Sequence, residues 1–145
     1  MKCPKDSAEL VRKTRHGVPA AECPNCKGLW IERGDFEKLE DEAFDLGDHA
    51  KGTMVFGTEP TDHPCPECDA PLRAFSYRLF DLELELCENE HGYWLDAGED
   101  DRVLELMRVQ EANVARSVQA EDRWTSLLNH LRSGSFLERM RDLFR

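Results

Sequence analysis

Two copies of one short stretch decide the fold of this chain: Cys23-Pro24-Asn25-Cys26-Lys27-Gly28-Leu29-Trp30 and Cys87-Glu88-Asn89-Glu90-His91-Gly92-Tyr93-Trp94. A Cys-Pro pair precedes each copy, Cys3-Pro4 in one case and Cys65-Pro66 in the other. The offset between the copies is 62 residues at these leading cysteines and 64 residues at the following Cys, Gly and Trp. Agreement at several residue types over a fixed spacing indicates an internal duplication.

The cysteine spacing predicts a metal-binding unit in each copy. A Cys-x-x-Cys turn offers two thiolates on one side of a tight loop, and a β-hairpin brings a second such turn opposite the first, which closes a tetrahedron around Zn²⁺. The first hairpin turns at His16-Gly17, and the strands of the second lie within residues 72–79 and 82–86. Since units of roughly 35 residues seldom fold on an apolar core alone, we expect the metal to stabilise them.

The candidate ligands of the first site are Cys3, Asp6, Cys23 and Cys26. Asp6 stands where the second cysteine of the turn is expected, and a carboxylate oxygen can ligate zinc, so the set is three Cys plus one Asp. We expect Trp30 to cover this site. The alternative is a first repeat without metal, in which Asp6 is solvated and the three cysteines are free thiols.

The second site has three thiolates, from Cys65, Cys68 and Cys87. Its fourth ligand is open between two residues. Aligning the Gly and Trp of the two copies puts Glu90 opposite Cys26, whereas His91 is one residue further along and its imidazole can reach back to the metal. Three Cys plus one His is a common structural zinc set. The sequence does not separate zinc from iron in such a thiolate-rich site.

Charge and composition disfavour several classes of function. The 145-residue chain has a formal net charge of −11, and residues 63–98 carry two Lys/Arg against eight Asp/Glu. Such a surface repels a phosphate backbone, so nucleic-acid binding is disfavoured. Residues 1–34, with seven Lys/Arg against four Asp/Glu, keep weak nucleic-acid binding as an alternative. The absence of a Ser/His/Asp set, a His-Glu-x-x-His pattern and a glycine-rich phosphate loop predicts that the protein is not an enzyme.

The cysteines also bear on the compartment. The N-terminus shows no secretory signal, and no stretch approaches the ~20 apolar residues of a membrane span. We therefore expect a reducing, cytoplasmic environment, in which paired cysteines are more often metal ligands than disulfides. A second hypothesis is a thiol switch that loses zinc and forms disulfides under oxidation.

The repeated motif resembles a bacterial family of small zinc-ribbon proteins, the TFIIB-type zinc-finger group. The family pattern is Cys-Pro-x-Cys, a hairpin, then Cys-Pro-x-Cys-x-Gly-x-Trp-Leu-Asp-x-Gly-Glu, and the similarity covers residues 2–40 and 64–104. Asp6 and Glu90 depart from the pattern, because they occupy cysteine positions. The resemblance implies a zinc-ribbon fold and bound zinc, not a role in transcription, with the family's cysteines falling on Cys3, Cys23, Cys26, Cys65, Cys68 and Cys87.

The predicted fold is a small α+β structure of tandem zinc-ribbon β-hairpin units, each followed by a helix, plus a long C-terminal helical segment. The helix of the first unit is expected from Asp35 to about Leu46. The predicted boundaries are 1–46 for the first ribbon with its helix, 47–62 for a linker, 63–98 for the second ribbon, 99–132 for a long helix and 133–145 for a short amphipathic helix.

The C-terminal third supplies the predicted partner surface. No Pro or Gly interrupts residues 100–131, and apolar residues recur there near a 3.5-residue rhythm, which indicates an imperfect coiled-coil seam. A bent helix folded back on the ribbons is the alternative. The apolar face of residues 135–145 could dock within the chain, on a protein partner or second copy, or on an anionic membrane surface. We therefore predict a zinc-binding interaction module or adaptor with an unidentified partner.

Overall fold

The structure, a computed structural model, describes residues 1–43, 55–78 and 80–132. It confirms the predicted α+β class. The elements in chain order are β1 Val11–Arg15, β2 Val18–Glu22, β3 Leu29–Glu32, α1 Arg33–Ala43, β4 Val55–Pro64, β5 Pro71–Tyr77, β6 Glu83–Leu86, β7 Gly92–Leu95 and α2 Glu99–Arg132. By internal contacts the chain divides into a first unit, Met1–Arg108, and a second unit, Val109–Arg145.

The two repeats share one antiparallel sheet, which has seven strands within the described residues in the order β1-β2-β3-β7-β6-β5-β4. The strand β3 of the first repeat pairs with β7 of the second, with Trp30 opposite Trp94 and Ile31 opposite Tyr93. Because Trp30 and Trp94 are also equivalent in the duplication, each strand pairs with its own copy about a local two-fold axis. The sequence predicts two ribbons in tandem, and this pairing fuses them into a single sheet.

The first hairpin forms where the sequence predicts it. Its two turn residues have positive φ angles, 49° at His16 and 83° at Gly17. A two-residue hairpin turn needs this conformation at both positions to match the twist of the flanking strands, and glycine adopts it without steric cost. The register then sets Arg15 opposite Val18.

The predicted linker, residues 47–62, needs a correction. Its residues 55–62 belong to β4, which pairs with β5, whereas residues 47–54 lie outside the described residues. The prediction was wrong because it gave Pro60 and Gly57 more weight than the β-forming residues around them. β4 lies at the edge of the described sheet, so Pro60 removes no interior hydrogen bond there. The register of β4 against β5 shifts between Phe56 and Glu59 and again between Pro60 and Pro64.

The two helices follow the sequence closely. The first begins at Arg33 rather than Asp35 and is described to Ala43; residues 44–46 of its predicted extent lie outside the described residues. The second is continuous from Glu99 to Arg132, as the absence of Pro and Gly predicts. The predicted helix at 133–145 lies outside the described residues, and the coiled-coil seam stays a prediction. Among the described residues, neither helix has the length and apolar character needed to cross a membrane.

The core of the first unit includes the cysteines themselves. Trp30 and Trp94 are each only 1% exposed, and they belong to one buried cluster with Leu10 and Leu72. The same cluster contains cysteines of both repeats, namely Cys3, Cys23, Cys65 and Cys87. The apolar core and the candidate metal sites are therefore continuous.

A buried polar group ties α1 to β5. The Glu40 carboxylate accepts a hydrogen bond from the Tyr77 hydroxyl at 2.6 Å and from Nε of Arg78 at 3.2 Å. The side chains of Arg78 and Glu40 are 2% and 3% exposed. Burial raises the pKa of Tyr77, and the neighbouring Glu40 carboxylate adds to that increase. Since a buried charge is tolerated only when it is paired, each member of this group depends on the others.

Candidate metal centre

The first site brings together the four side chains that the sequence proposes. Its ligand atoms, from Cys3, Asp6, Cys23 and Cys26, lie within 4.8 Å of one another. The Sγ atoms of Cys3 and Cys26 are 3.6 Å apart, and Sγ of Cys23 lies 3.4 Å and 3.5 Å from the two Asp6 carboxylate oxygens. We call this group site 1.

The second group, site 2, consists of Cys65, Cys68, Cys87 and His91, again within 4.8 Å of one another. The Sγ atoms of Cys68 and Cys87 are 3.6 Å apart. The Nδ1 atom of His91 lies 3.4 Å from Sγ of Cys87 and 3.9 Å from Sγ of Cys65. The imidazole therefore approaches the thiols through Nδ1, on the side of the ring nearer to the backbone.

These separations fit a tetrahedral zinc ion. With Zn–S bonds of about 2.3 Å and Zn–N or Zn–O bonds of about 2.0 Å, the edges of the tetrahedron are about 3.8 Å between two sulfurs and about 3.5 Å between a sulfur and a nitrogen or oxygen. The 3.6 Å sulfur pairs and the 3.4–3.9 Å mixed pairs of both sites match these edges. A disulfide would need about 2.05 Å, and all six cysteines are free. Both sites therefore fit Zn²⁺.

Glu90 takes no part in site 2. Its side chain is 73% exposed, and its carboxylate pairs with the guanidinium of Arg33. The reason lies in the turn. In the first repeat, the N–H of Lys27 bonds to the carbonyl of Cys23, four residues back, whereas the N–H of Glu90 bonds to Cys87, three residues back.

The φ angle is 63° both at Lys27 and at Glu90. The conformational counterpart of Glu90 in the first repeat is therefore Lys27, not Cys26. The turn of the second repeat is one residue tighter, so the following residue, His91, faces the thiols. Both copies nevertheless close in the same way, since Cys23 N–H bonds to the carbonyl of Gly28 and Cys87 N–H to that of Gly92. Alignment on Gly and Trp hides this shift by one residue.

Neighbouring groups set the protonation of the thiols. Burial raises the pKa of Cys3 and of Cys65 to about 12. Cys68 differs, because a hydrogen bond from the side chain of Asn89 and one from the backbone N–H of Ala70 lower its pKa to about 6. At neutral pH the sulfur of Cys68 is therefore a thiolate, whereas Cys65 must release its proton when a metal binds.

Two asparagines support equivalent ligands in the two repeats. The Nδ2 atom of Asn89 lies 3.4 Å from Sγ of Cys68. The pKa of Asp6, the residue equivalent to Cys68, is lowered first by the backbone N–H of Ala8 and also by the side chain of Asn25. Such hydrogen bonds orient ligands and stabilise their charged form. The sequence-based prediction missed both asparagines, although the signal was available, since Asn stands at the same position of both copies.

Trp30, which the sequence predicts to cover its own site, also reaches the opposite repeat. Its Nε1 donates to a Glu67 carboxylate oxygen at 2.9 Å, in the Cys-Pro-Glu-Cys turn of the other repeat. In return, the ring of Trp94 lies against Gly28, where an added Cβ would come within 2.9 Å of its Cε2 and Cη2 atoms. Each indole thus reaches the opposite repeat, because β3 and β7 are paired side by side.

A third group of potential ligands is an ion-pair network. His16, Asp100 and Asp101 lie close together, but Nε and Nη2 of Arg15 donate to the same Asp100 oxygen that His16 Nε2 contacts at 2.8 Å. Burial opposes ionisation of Asp100, yet its hydrogen bonds to Arg15 and His16 prevail and lower its pKa. The guanidinium supplies the positive charge that a cation would otherwise bring. This network fastens the first hairpin to the start of α2.

Comparison with known proteins bears on the first repeat. No curated protein and no solved structure matches the chain. A family model of the TFIIB zinc-ribbon type, described as a transcription factor zinc-finger, matches residues 2–42. That range contains all four side chains of site 1, so the family match and the site geometry agree that the first repeat is similar to a zinc ribbon.

Proposed function

We propose that this chain is a non-enzymatic zinc-binding protein, in which two zinc ions stabilise the first unit and α2 offers a contact surface to a protein partner. The proposed ligands are those of site 1 and site 2, with His91 rather than Glu90 as the fourth ligand of site 2. Catalytic zinc sites keep one position open for water or substrate, whereas four protein ligands close a site. Each site here has four.

The observation that carries the proposal is the match of both sites to the edges of a zinc tetrahedron. Zinc is favoured over iron because mixed Cys/His and Cys/Asp sets suit Zn²⁺, while iron–sulfur clusters are usually held by cysteines alone. The burial of four cysteines in the common core supports a structural role for the metal, since a bound cation would stabilise the thiolate form that burial disfavours in Cys3 and Cys65.

The ligand assignment is tested by metal content and native mass. The unaltered chain is expected to carry two zinc ions, and Cys65→Ser with Cys68→Ser is expected to carry one. His91→Ala should lose the zinc of site 2, whereas its matched control, Glu90→Ala, should keep both ions. Loss of zinc from Glu90→Ala with retention in His91→Ala would contradict the assignment.

The role of α2 as a contact surface is supported by its exposed apolar side chains. Beyond Arg108 these are Val109, Val118, Trp124, Leu127 and Leu131, with exposures of 38–62%. Trp124, Leu127 and Leu131 follow an i, i+3, i+7 spacing and so share one helix face, and contiguous exposed apolar surface is typical of interaction sites. A Trp124→Ser, Leu127→Ser variant should lose partner capture or self-association while retaining both zinc ions and its melting temperature. Unchanged capture and an unchanged native mass would argue against this role.

Nucleic-acid binding has less support. The basic side chains of the first repeat are largely committed to carboxylates: Lys5 to Asp96 at 2.6 Å, Lys13 to Glu22 at 2.7 Å and Arg15 to Asp100 at 2.8 Å. A phosphate would have to displace these pairs. We therefore propose no nucleic-acid partner, and binding of duplex DNA or RNA at low salt would contradict this view.

A thiol switch is the second candidate function, and the arrangement of the thiols supports it. Cys26 and Cys68 are only partly buried, and each lies 3.6 Å from another cysteine sulfur of its site. Oxidation of such a pair to a disulfide would release the metal. Counting free thiols and bound zinc before and after mild peroxide separates the two functions, because a purely structural site keeps both counts.

A reducing, cytoplasmic location is part of the proposal, since it keeps the six cysteines free.

A further inference from the structure

Trp30 and Trp94 connect the two proposed zinc sites, because each indole contacts residues that lie beside the ligands of the opposite site. Trp30 and Trp94 pair directly across the β3–β7 junction, and each is 1% exposed. Both indoles lie within the same buried cluster as cysteines of the two repeats. What each indole touches therefore depends on the opposite repeat.

Trp94, from the second repeat, is connected to both turns of site 1. Its ring packs against Gly28, which closes the turn containing Cys23 and Cys26. Its Nε1 donates to Asp96 at 3.1 Å, and the other oxygen of Asp96 accepts a hydrogen bond from Nζ of Lys5 at 2.6 Å. Lys5 lies between the ligands Cys3 and Asp6.

Trp30 has the equivalent connections to site 2. An added Cβ at Gly92, the residue after His91, would lie 3.0 Å from Cζ2 of Trp30. Its Nε1 donates directly to Glu67, which lies between Cys65 and Cys68. Glu67 and Lys5 occupy the same position of the duplicated Cys-Pro turn, so the exchange of tryptophans is reciprocal.

Given the proposed function, on which this inference rests, we infer that Trp30 and Trp94 are positioning residues, each for the zinc site of the opposite repeat, and that the two sites bind zinc cooperatively. The physical reason is that a metal orders the turns that ligate it. Ordered turns in site 2 hold Glu67 and Gly92 in place, and these two residues contact the indole of Trp30. Because Trp30 belongs to β3, the strand that follows the ligands of site 1, order in site 2 is passed on to site 1. Such coupling is reciprocal and typically amounts to about 5- to 150-fold in affinity.

The test measures the zinc affinity of each site separately. The reduced, full-length chain is equilibrated at a series of buffered free Zn²⁺ concentrations and treated briefly with N-ethylmaleimide. Peptide mass spectrometry then gives the protection of Cys3, Cys23 and Cys26 apart from that of Cys65, Cys68 and Cys87. The midpoint of each protection curve reports the affinity of that site, with no activity assay required.

The expected pattern crosses between the repeats. Trp30→Phe should raise the zinc midpoint of site 2 by about tenfold, more than it raises that of site 1, and Trp94→Phe should do the reverse. In Cys68→Ser, which lacks site 2, the midpoint of site 1 should rise at least fivefold. Variants that weaken the site of their own repeat, or both sites equally, would overturn the inference.

An exposed residue provides a version of the test that does not disturb the core. Glu67→Ala removes the acceptor of the Trp30 indole and should raise the midpoint of site 2, whereas Glu67→Gln keeps an acceptor oxygen and should restore it. No difference between these two variants would contradict a positioning role. Zinc protection of neither cysteine set would refute the proposed function itself, whereas independent protection of both sets would overturn only the coupling.

Discussion

Gly28→Ala tests whether the fused sheet and the exchanged tryptophans hold the first unit together. The added methyl would lie 2.9 Å from Cε2 and Cη2 of Trp94 and closer still to Cζ2, well inside the separation of about 3.5 Å at which carbon atoms pack. Trp94 is buried and paired with Trp30, so the ring cannot turn away. Overpacking of a rigid core costs about 1–3 kcal/mol, and we expect the upper end here.

The assay is urea and thermal unfolding of the zinc-loaded chain, followed by tryptophan fluorescence. A loss of about 3 kcal/mol should lower the melting temperature by roughly 10–20 °C for a unit of this size. Gly34→Ala is the matched control, because no atom lies within 4 Å of its added Cβ; alanine in this helix should be neutral or slightly stabilising.

A double variant sharpens the test. In a Trp94→Phe background the smaller ring leaves room for the methyl, so Gly28→Ala should cost less there than in the unaltered chain. Equal cost in both backgrounds, or a Gly28→Ala variant as stable as Gly34→Ala, would refute the packing of Trp94 against Gly28.

Three further outcomes follow from individual polar side chains. Glu40→Ala should cost about 3–5 kcal/mol of stability, because it removes the buried carboxylate that accepts from Tyr77 and pairs with Arg78, and chemical unfolding measures this loss. Glu99→Gln should stabilise the chain above neutral pH. Burial raises the pKa of Glu99 to about 7, so the unaltered protein loses stability as the pH rises from about 4.5 through 7. The variant should therefore be more stable than the unaltered protein by on the order of 1 kcal/mol at pH 8. The gain is no larger because Glu99 is partly exposed. Asn89→Ala should weaken zinc binding at site 2 by about tenfold, as measured by competition with a chelator.

Each of these has a contrasting variant. Lys38→Ala, which breaks an exposed ion pair with Asp35, should cost less than about 1 kcal/mol. Glu105→Gln removes a carboxylate whose side chain is 63% exposed, and it should change the stability at pH 8 by less than about 1 kcal/mol. A profile for Glu99→Gln that parallels that of the unaltered chain, or unaltered chelator competition for Asn89→Ala, would contradict the corresponding prediction.

The sequence was sufficient for the parts of the fold that depend on local chemistry. The His16-Gly17 turn and the uninterrupted helix from Glu99 each follow from backbone preferences of a few residues. The Cys-x-x-Cys spacing likewise predicted which side chains would converge in site 1. Such features need only the short-range rules of turns, caps and ligand geometry.

The β3–β7 pairing could not be predicted in the same way, because it is a contact between distant segments. Both segments consist of β-forming residues, namely Leu29-Trp30-Ile31 and Tyr93-Trp94-Leu95. Short-range features of the sequence do not indicate that the two segments pair with each other. Aligning the two copies also did not reveal whether Glu90 or His91 is the fourth ligand of site 2. A turn tightened by one residue leaves the spacing from Cys87 to Gly92 unchanged, so only the backbone conformation at Glu90 reveals it.

The most direct measurement of the central claim is zinc content combined with unfolding before and after chelation. We predict two zinc ions per chain by native mass spectrometry and elemental analysis. Their removal should abolish the cooperative melting of the first unit and expose its six thiols together. A chain that melts at the same temperature with and without a chelator, or that carries no zinc when isolated under reducing conditions, would contradict the claim that zinc holds the two repeats in shape.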